Sequence, residues 1–242
     1  MGKIFDLDSP LMRVLSRMGD LMILNVIMTI CCIPIITIGA SVTAMHYVML
    51  KLVRGEDGYI VKDFFKSFRM NFKQATIIWL IMILFLFVFV GDYCIIAFSG
   101  LEFPEFLGVV LMAIAILVFV VSTYIFPVLS RFDNTVKNTI KNGCIMSIMA
   151  VPKAILIAVL TLAPALILVM IPRMIPLVIL FGFSLPGYLS AWLYSGTFKR
   201  FEPEQEEQTE DEEFHVVFDD EEIETEQEGV QKIEQSTETE EE

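Results

Sequence analysis

Residues 75–91 read ATIIWLIMILFLFVFVG, a run without a charged side chain that continues past Asp92 to Phe98. A helix needs about 20 apolar residues to cross the roughly 30 Å hydrocarbon core of a bilayer. Four similar runs lie at residues 21–45, 106–130, 154–172 and 174–198. A chain of 242 residues has no polar shell to bury five such helices. The pattern predicts an all-α, polytopic transmembrane helical bundle.

Composition and charge agree with a chain solvated mainly by lipid. Hydrophobic residues make up 55% of the sequence and charged residues 19%, where a soluble domain has about 25%. Residues 1–201 carry 16 basic and 10 acidic residues, whereas residues 202–242 carry 1 and 20. The basic residues are dispersed between apolar runs, which argues against nucleic acid as a partner. We therefore expect a transmembrane helical domain at 1–201 and a disordered acidic tail at 202–242.

The first apolar run admits two interpretations. It stays largely apolar as far as Leu52, and it contains Pro34 and Gly39. Proline removes a backbone donor and glycine loosens a helix, so a break is expected between them. The run is either one kinked span or a hairpin of two spans, at about residues 11–33 and 35–52. The hairpin gives six crossings in total, and the kinked span gives five.

Basic residues distinguish the two arrangements, because Lys and Arg in short loops favour the cytoplasm. With six crossings, every lysine and arginine except Arg173 lies on the inner side. With five crossings, the division is 13 inside and 4 outside. The sequence therefore favours six crossings. Both arrangements predict a multi-pass protein of the cell membrane whose C-terminus is cytoplasmic.

A basic, aromatic segment follows the first apolar run. Its phenylalanines fall on one helical stripe and its cations on a neighbouring stripe, as in a helix at the headgroup boundary. One interpretation is a connector whose charges only fix the topology; the other is a surface that docks on the membrane or on a cytoplasmic protein. The candidate docking residues are Lys62, Phe64, Phe65, Lys66, Phe68, Arg69, Phe72 and Lys73.

Polar residues within the apolar runs are candidates for a cavity or for helix packing. Asn25, Thr43 and His46, together with Pro34 and Gly39, are the candidates for a cavity or a kink. Thr161 is a further candidate for a cavity wall. The four cysteines form no C-x-x-C pair, and no G-x-S-x-G, H-E-x-x-H or Walker-type loop occurs. We therefore expect no catalytic residue, cofactor or metal.

Three segments near the N-terminus resemble a known family. They are residues 5–10 (FDLDSP), 34–40 (PIITIGA) and 63–68 (DFFKSF) followed by Asn71 and Phe72. In these segments the chain resembles the YesL-like family of small bacterial integral membrane proteins, a domain of unknown function. The resemblance covers about the first 200 residues. It implies that such proteins are often encoded beside sugar-uptake ABC transporters and their sensor systems.

Three functional hypotheses follow. The first is a non-enzymatic accessory or regulatory partner of a carbohydrate uptake system, which contacts the lipid bilayer and ABC transporter or sensor subunits. The second is a stand-alone transporter or channel for a small solute. An intramembrane enzyme comes third, because the sequence shows no nucleophile, metal or acid–base constellation.

Overall fold

The structure is a computed structural model, and it describes residues 10–56, 58–98 and 104–201. The chain divides into two units, Met1–Lys199 and Arg200–Glu242. The helices described below belong to the first unit. The predicted disorder of residues 202–242 lies outside the described residues.

All regular structure in the described ranges is helical, as the apolar runs predicted. The α-helices, in chain order, are α1 (Pro10–Cys31), α2 (Ile38–Arg54), α3 (Ile60–Phe98), α4 (Glu105–Arg131), α5 (Val136–Met149), α6 (Val151–Met170), the short α7 (Ile175–Leu177) and α8 (Ser184–Phe198). A 3-10 turn at Ile35–Thr37 precedes α2, and a π-helical turn at Val178–Gly182 precedes α8. By length and composition five helices could cross a membrane: α1, α2 with its preceding turn, α3, α4 and α6. The segment Pro172–Gly182 and α8 together form one bent candidate span.

The first apolar run is two antiparallel helices and not one kinked span. The Thr37 hydroxyl donates to the Cys31 carbonyl across the break, at 2.6 Å. At the opposite end, the Arg17 guanidinium donates to the Leu52 carbonyl at 2.9 Å. α1 and α2 therefore form a hairpin, here called the first hairpin, whose turn consists of residues 32–37. Pro34 lies in this turn, where its missing N–H and fixed φ favour a break.

α3 is one continuous helix of 39 residues. At 1.5 Å per residue it is about 58 Å long, nearly twice the thickness of the hydrocarbon core. The basic, aromatic segment forms its first turns and continues into the apolar run without a break. The basic, aromatic segment that follows the first hairpin is therefore part of the same helix as the next span and not a separate connector.

α2 is the most buried of the candidate spans and lies at the centre of the bundle. It runs antiparallel to the first half of α3 in a constant register. The contacts that define this register are the ion pair Lys51–Asp63 (3.1 Å), the close approach of Gly39 to Ala75, and the hydrogen bond from Trp79 Nε1 to the Ile35 carbonyl (2.8 Å). Successive contacts are twelve and then four residues apart on both helices. The two helices therefore stay side by side from Asp63 to Trp79.

The second half of α3 and the first half of α4 leave the bundle. No described side chain is buried in residues 84–98 of α3 or 106–118 of α4. These two segments are here called the outer arms. Their exposed side chains are almost all large and apolar, including Phe85, Phe87, Val109 and Leu117. Such a surface is suited to lipid, because in water a patch of this size would promote association.

Candidate membrane-embedded cavity and basic surface

Asn25 is a fully buried polar residue that connects α1 to the break before α8. Its Nδ2 donates to the carbonyls of Val178 (3.1 Å) and Ile179 (2.7 Å). Its Oδ1 accepts from the backbone N–H groups of Phe183 (2.9 Å) and Ser184 (2.8 Å). One side chain thus pairs four backbone groups at a break that bends the helix axis by 49°. In lipid these groups would have no other partner.

Two other predicted cavity or kink residues have packing roles. Thr43 is buried, and its hydroxyl donates to the Gly39 carbonyl of its own helix at 2.9 Å. Gly39 allows α2 to approach α3 closely, because a Cβ there would lie 2.5 Å from the Ala75 carbonyl oxygen. Neither residue lines the cavity described next, and nor do Asn25 and Pro34.

A cavity of about 370 Å³ lies between α1, α2, α3, α4, α6 and α8. His46 and Thr161, both predicted cavity residues, are in its wall. Most of the wall is apolar, and its other polar groups come from Thr29, Cys32, Trp79, Ser122, Thr123 and Ser190. The sequence did not single out Trp79, Ser122 or Thr123. They lie within long apolar runs on the successive helices α3 and α4, and only the assembled bundle shows which face of each helix lines the cavity.

The hydroxyl groups of the cavity already donate hydrogen bonds within the protein. Thr29 donates to Asn25, Ser122 to Phe119 and Thr161 to Ile157, each to a backbone carbonyl at 2.6–2.8 Å. Thr123 and Ser190 donate in the same way. A hydroxyl has one proton, so these groups offer only their remaining lone pairs to an occupant. The wall is therefore poor in hydrogen-bond donors.

His46 is held at one edge of the cavity by α8. Its Nδ1 lies 3.1 Å from the hydroxyl of Tyr194, which is fully buried, and the two rings meet edge to face with centroids 5.8 Å apart. This contact joins residues 148 positions apart in the chain. Sequence reasoning predicted no partner for His46, although a tyrosine within an apolar run is itself a signal, because a buried hydroxyl needs a hydrogen bond.

The cationic ends of the helices converge at one end of the bundle. Arg17 of α1 reaches the last turn of α2, and the Lys51–Asp63 pair joins that turn to the start of α3. Lys153 at the start of α6 donates to Thr197 near the end of α8, at 3.2 Å. We call this the basic end; it carries Arg17, Lys51, Arg54, Arg131, Lys153 and Lys199.

The candidate docking residues on α3 divide into two groups. Phe64 is fully buried in the core, and Phe68 and Phe72 are half-buried against it. Lys62, Phe65, Lys66, Arg69 and Lys73 are exposed, as are the neighbouring Val61 and Met70. The aromatic stripe thus mainly attaches the first turns of α3 to the bundle. We call the exposed set, with its two neighbours, the basic surface of α3.

In the described ranges, no three His, Cys, Asp or Glu side chains are placed to hold a metal ion. No curated protein and no solved structure matches the chain. A family match covers residues 21–93, from the middle of α1 into the outer arm of α3. The chain is a membrane protein with several apolar helices, and its residues 21–93 match the family described as "Protein of unknown function, DUF624".

Proposed function

We propose that the protein is a non-enzymatic accessory or regulatory partner of a carbohydrate uptake system in the cell membrane. The observation that supports this role is the basic surface of α3. There, exposed apolar side chains alternate with exposed cations on a helix that is anchored in the bundle by Phe64. The carbohydrate class comes from the resemblance to YesL-like proteins.

A surface of this composition is suited to a protein partner with an acidic, partly apolar face. Val61, Phe65 and Met70 offer apolar contact area, and the cations around them provide complementarity for carboxylates. The helix is held in place before binding, so little conformational entropy is lost on association. A cytoplasmic domain of an ABC transporter or of a sensor subunit is the partner that we propose.

This proposal places the basic end in the cytoplasm. Six helix ends converge at one end of the bundle and bring their lysines and arginines together. Because Lys and Arg in short loops favour the cytoplasm, this end is expected on the cytoplasmic side. The N-terminus of α1 and the C-terminus of α8 both lie at this end. The C-terminal tail then begins on the cytoplasmic side.

Reversing two charges on the basic surface should release the partner. We expect the double variant Lys66→Glu, Arg69→Glu to reduce recovery of transporter or sensor subunits about tenfold, because two exposed ion pairs at roughly 0.7 kcal/mol each amount to about 1.4 kcal/mol. The measurement is affinity capture from native cells in lipid-retaining detergent, with the captured subunits quantified by mass spectrometry.

The matched control is Lys137→Glu, Lys141→Glu, which reverses two exposed charges on α5 and leaves the basic surface of α3 intact. It should retain the wild-type recovery. The proposal is contradicted if the wild-type protein captures no transporter or sensor subunit, or if both double variants lose the subunits equally.

The cavity supports a second candidate, a transporter or channel for a small solute. Its volume is within the range of small-molecule sites, but its five hydroxyl groups already donate to backbone carbonyls and are not free to donate to a sugar or an anion. We expect proteoliposomes to show no sugar flux above protein-free liposomes. Flux that is blocked by Thr123→Phe, in the cavity wall, and retained by Val118→Phe, on the outer arm, would establish the transporter instead.

A further inference from the structure

We propose that the first hairpin does not cross the bilayer. It enters from the basic end, turns within the hydrocarbon at residues 32–37, and returns to the same side. Hydropathy alone counts α1 and α2 as two crossings. Depth in the bilayer can be measured along the axis of α3, because this single helix runs past the whole of the first hairpin and then continues through the outer arm.

Two charged residues mark the hydrocarbon on α3. Lys73 is the last cation before the apolar run, and Asp92 is the next charged residue after it. They are nineteen residues apart, which corresponds to about 28 Å along a helix and matches a hydrocarbon core of about 30 Å. Lys62, Lys66 and Arg69 then lie outside the hydrocarbon, where exposed cations are stable.

The hairpin turn lies only a short way above the level of Lys73. Trp79 donates to the Ile35 carbonyl in the turn, and Gly39 lies against Ala75. Trp79 follows Lys73 by six residues, so the turn is about 9 Å inside the hydrocarbon and about 20 Å short of Asp92. The constant register of α2 against α3 extends this result to the whole hairpin, whose other end lies beside Asp63.

A different placement of the bilayer fits the exposed surfaces poorly. If the hydrocarbon enclosed the hairpin from end to end, it would also enclose the cations of the basic surface of α3. The outer arms would then project into water with their apolar side chains bare. A tilt of α3 does not resolve this, because a 58 Å helix would need to lean far beyond the usual 0–40° to fit within the hydrocarbon.

The composition of the turn provides an independent observation. Its most exposed side chains are Ile33 (77%), Ile35 (66%) and Ile36 (57%), which would be unfavourable in an aqueous loop. Part of its backbone is paired: Cys32 N–H donates to the Met28 carbonyl, Thr37 N–H donates to the Pro34 carbonyl, and the Ile35 carbonyl accepts from Trp79. In the hydrocarbon, helix-breaking residues such as Pro34 are tolerated where a neighbouring helix pairs the freed backbone groups, as Trp79 does for the Ile35 carbonyl.

The placement also fixes the level of the cavity. Its wall extends from His46, which the register of α2 puts level with Phe68, to Met82, so the cavity spans the level of Lys73 and reaches past the turn.

Spin labels measure this depth directly. In a background with the four native cysteines replaced by alanine, we would label Ile36→Cys in the turn, Leu80→Cys at the same level on α3, and Tyr93→Cys beside Asp92. All three native side chains are exposed. In reconstituted liposomes, the Ile36 and Leu80 labels should show equal depth and high accessibility to oxygen. The Tyr93 label should be accessible to an aqueous nickel chelate.

An Ile36 label that is as accessible to the nickel chelate as the Tyr93 label would overturn the proposal. If the cysteine-free background does not fold, Trp79 serves as the native probe after Trp192→Phe. Lipids brominated midway along their chains should then quench its fluorescence more than lipids brominated next to the headgroup. Stronger quenching by the shallow bromines would also overturn the proposal.

Discussion

Replacing Asn25 with leucine should lower the free energy of unfolding by about 4 kcal/mol. Leucine has a similar size but leaves unpaired two carbonyls and two N–H groups at the break before α8. Each unsatisfied buried group costs about 1–3 kcal/mol, and lipid offers no replacement partner. Reversible unfolding in mixed micelles, followed by tryptophan fluorescence, gives the difference.

Thr43→Val is the matched control for Asn25. Thr43 is also fully buried, but its hydroxyl bonds only within its own helix. This variant should change the free energy of unfolding by about 1 kcal/mol or less. If Asn25→Leu is no more destabilising than Thr43→Val, the bridge from α1 to α8 contributes little to stability.

Replacing Gly39 with valine should force α2 and α3 apart and cost about 3 kcal/mol. The first atom of any side chain at this position would lie 2.5 Å from the Ala75 carbonyl oxygen and 2.7 Å from Trp79 Cβ. The obstacle includes backbone, so a change of rotamer does not relieve the clash. The hydrogen bond from Trp79 to the turn should be lost as well, and the emission of Trp79 should shift.

Gly91→Val is the control for Gly39. Gly91 also lies within a helix, but a Cβ there would meet no atom within 4 Å. The two substitutions share the same change in helix propensity, and only the steric contact differs. Equal destabilisation by the two substitutions would contradict the close approach of α2 and α3.

The helices themselves were predictable because each is encoded locally. Runs of uncharged residues located the spans, and Pro34 located the break between α1 and α2. The continuity of α3 was not predictable in the same way. The basic segment had the pattern of a surface helix, and nothing in its sequence indicated whether it lay flat or extended the span.

The candidate site was less accessible to sequence reasoning because its contacts join distant parts of the chain. Asn25 was singled out as a polar residue in an apolar run, yet its partners lie more than 150 residues away. Phe64 shares its helical stripe with the half-buried Phe68, and both resembled surface aromatics. Only packing against the core residues of α2 and α8 shows that Phe64 faces inward.

The unbroken length of α3 has a mechanical consequence. Its first turns carry exposed cations, and no described side chain of its last turns is buried, so the helix can act as a stiff lever that pivots at its contact with α2. Measured from Trp79, the last contact with the first hairpin, the remaining nineteen residues to Phe98 are about 28 Å long, so a tilt of 10° would displace the tip by about 5 Å. A partner that tilted the charged end would therefore also move the apolar tip.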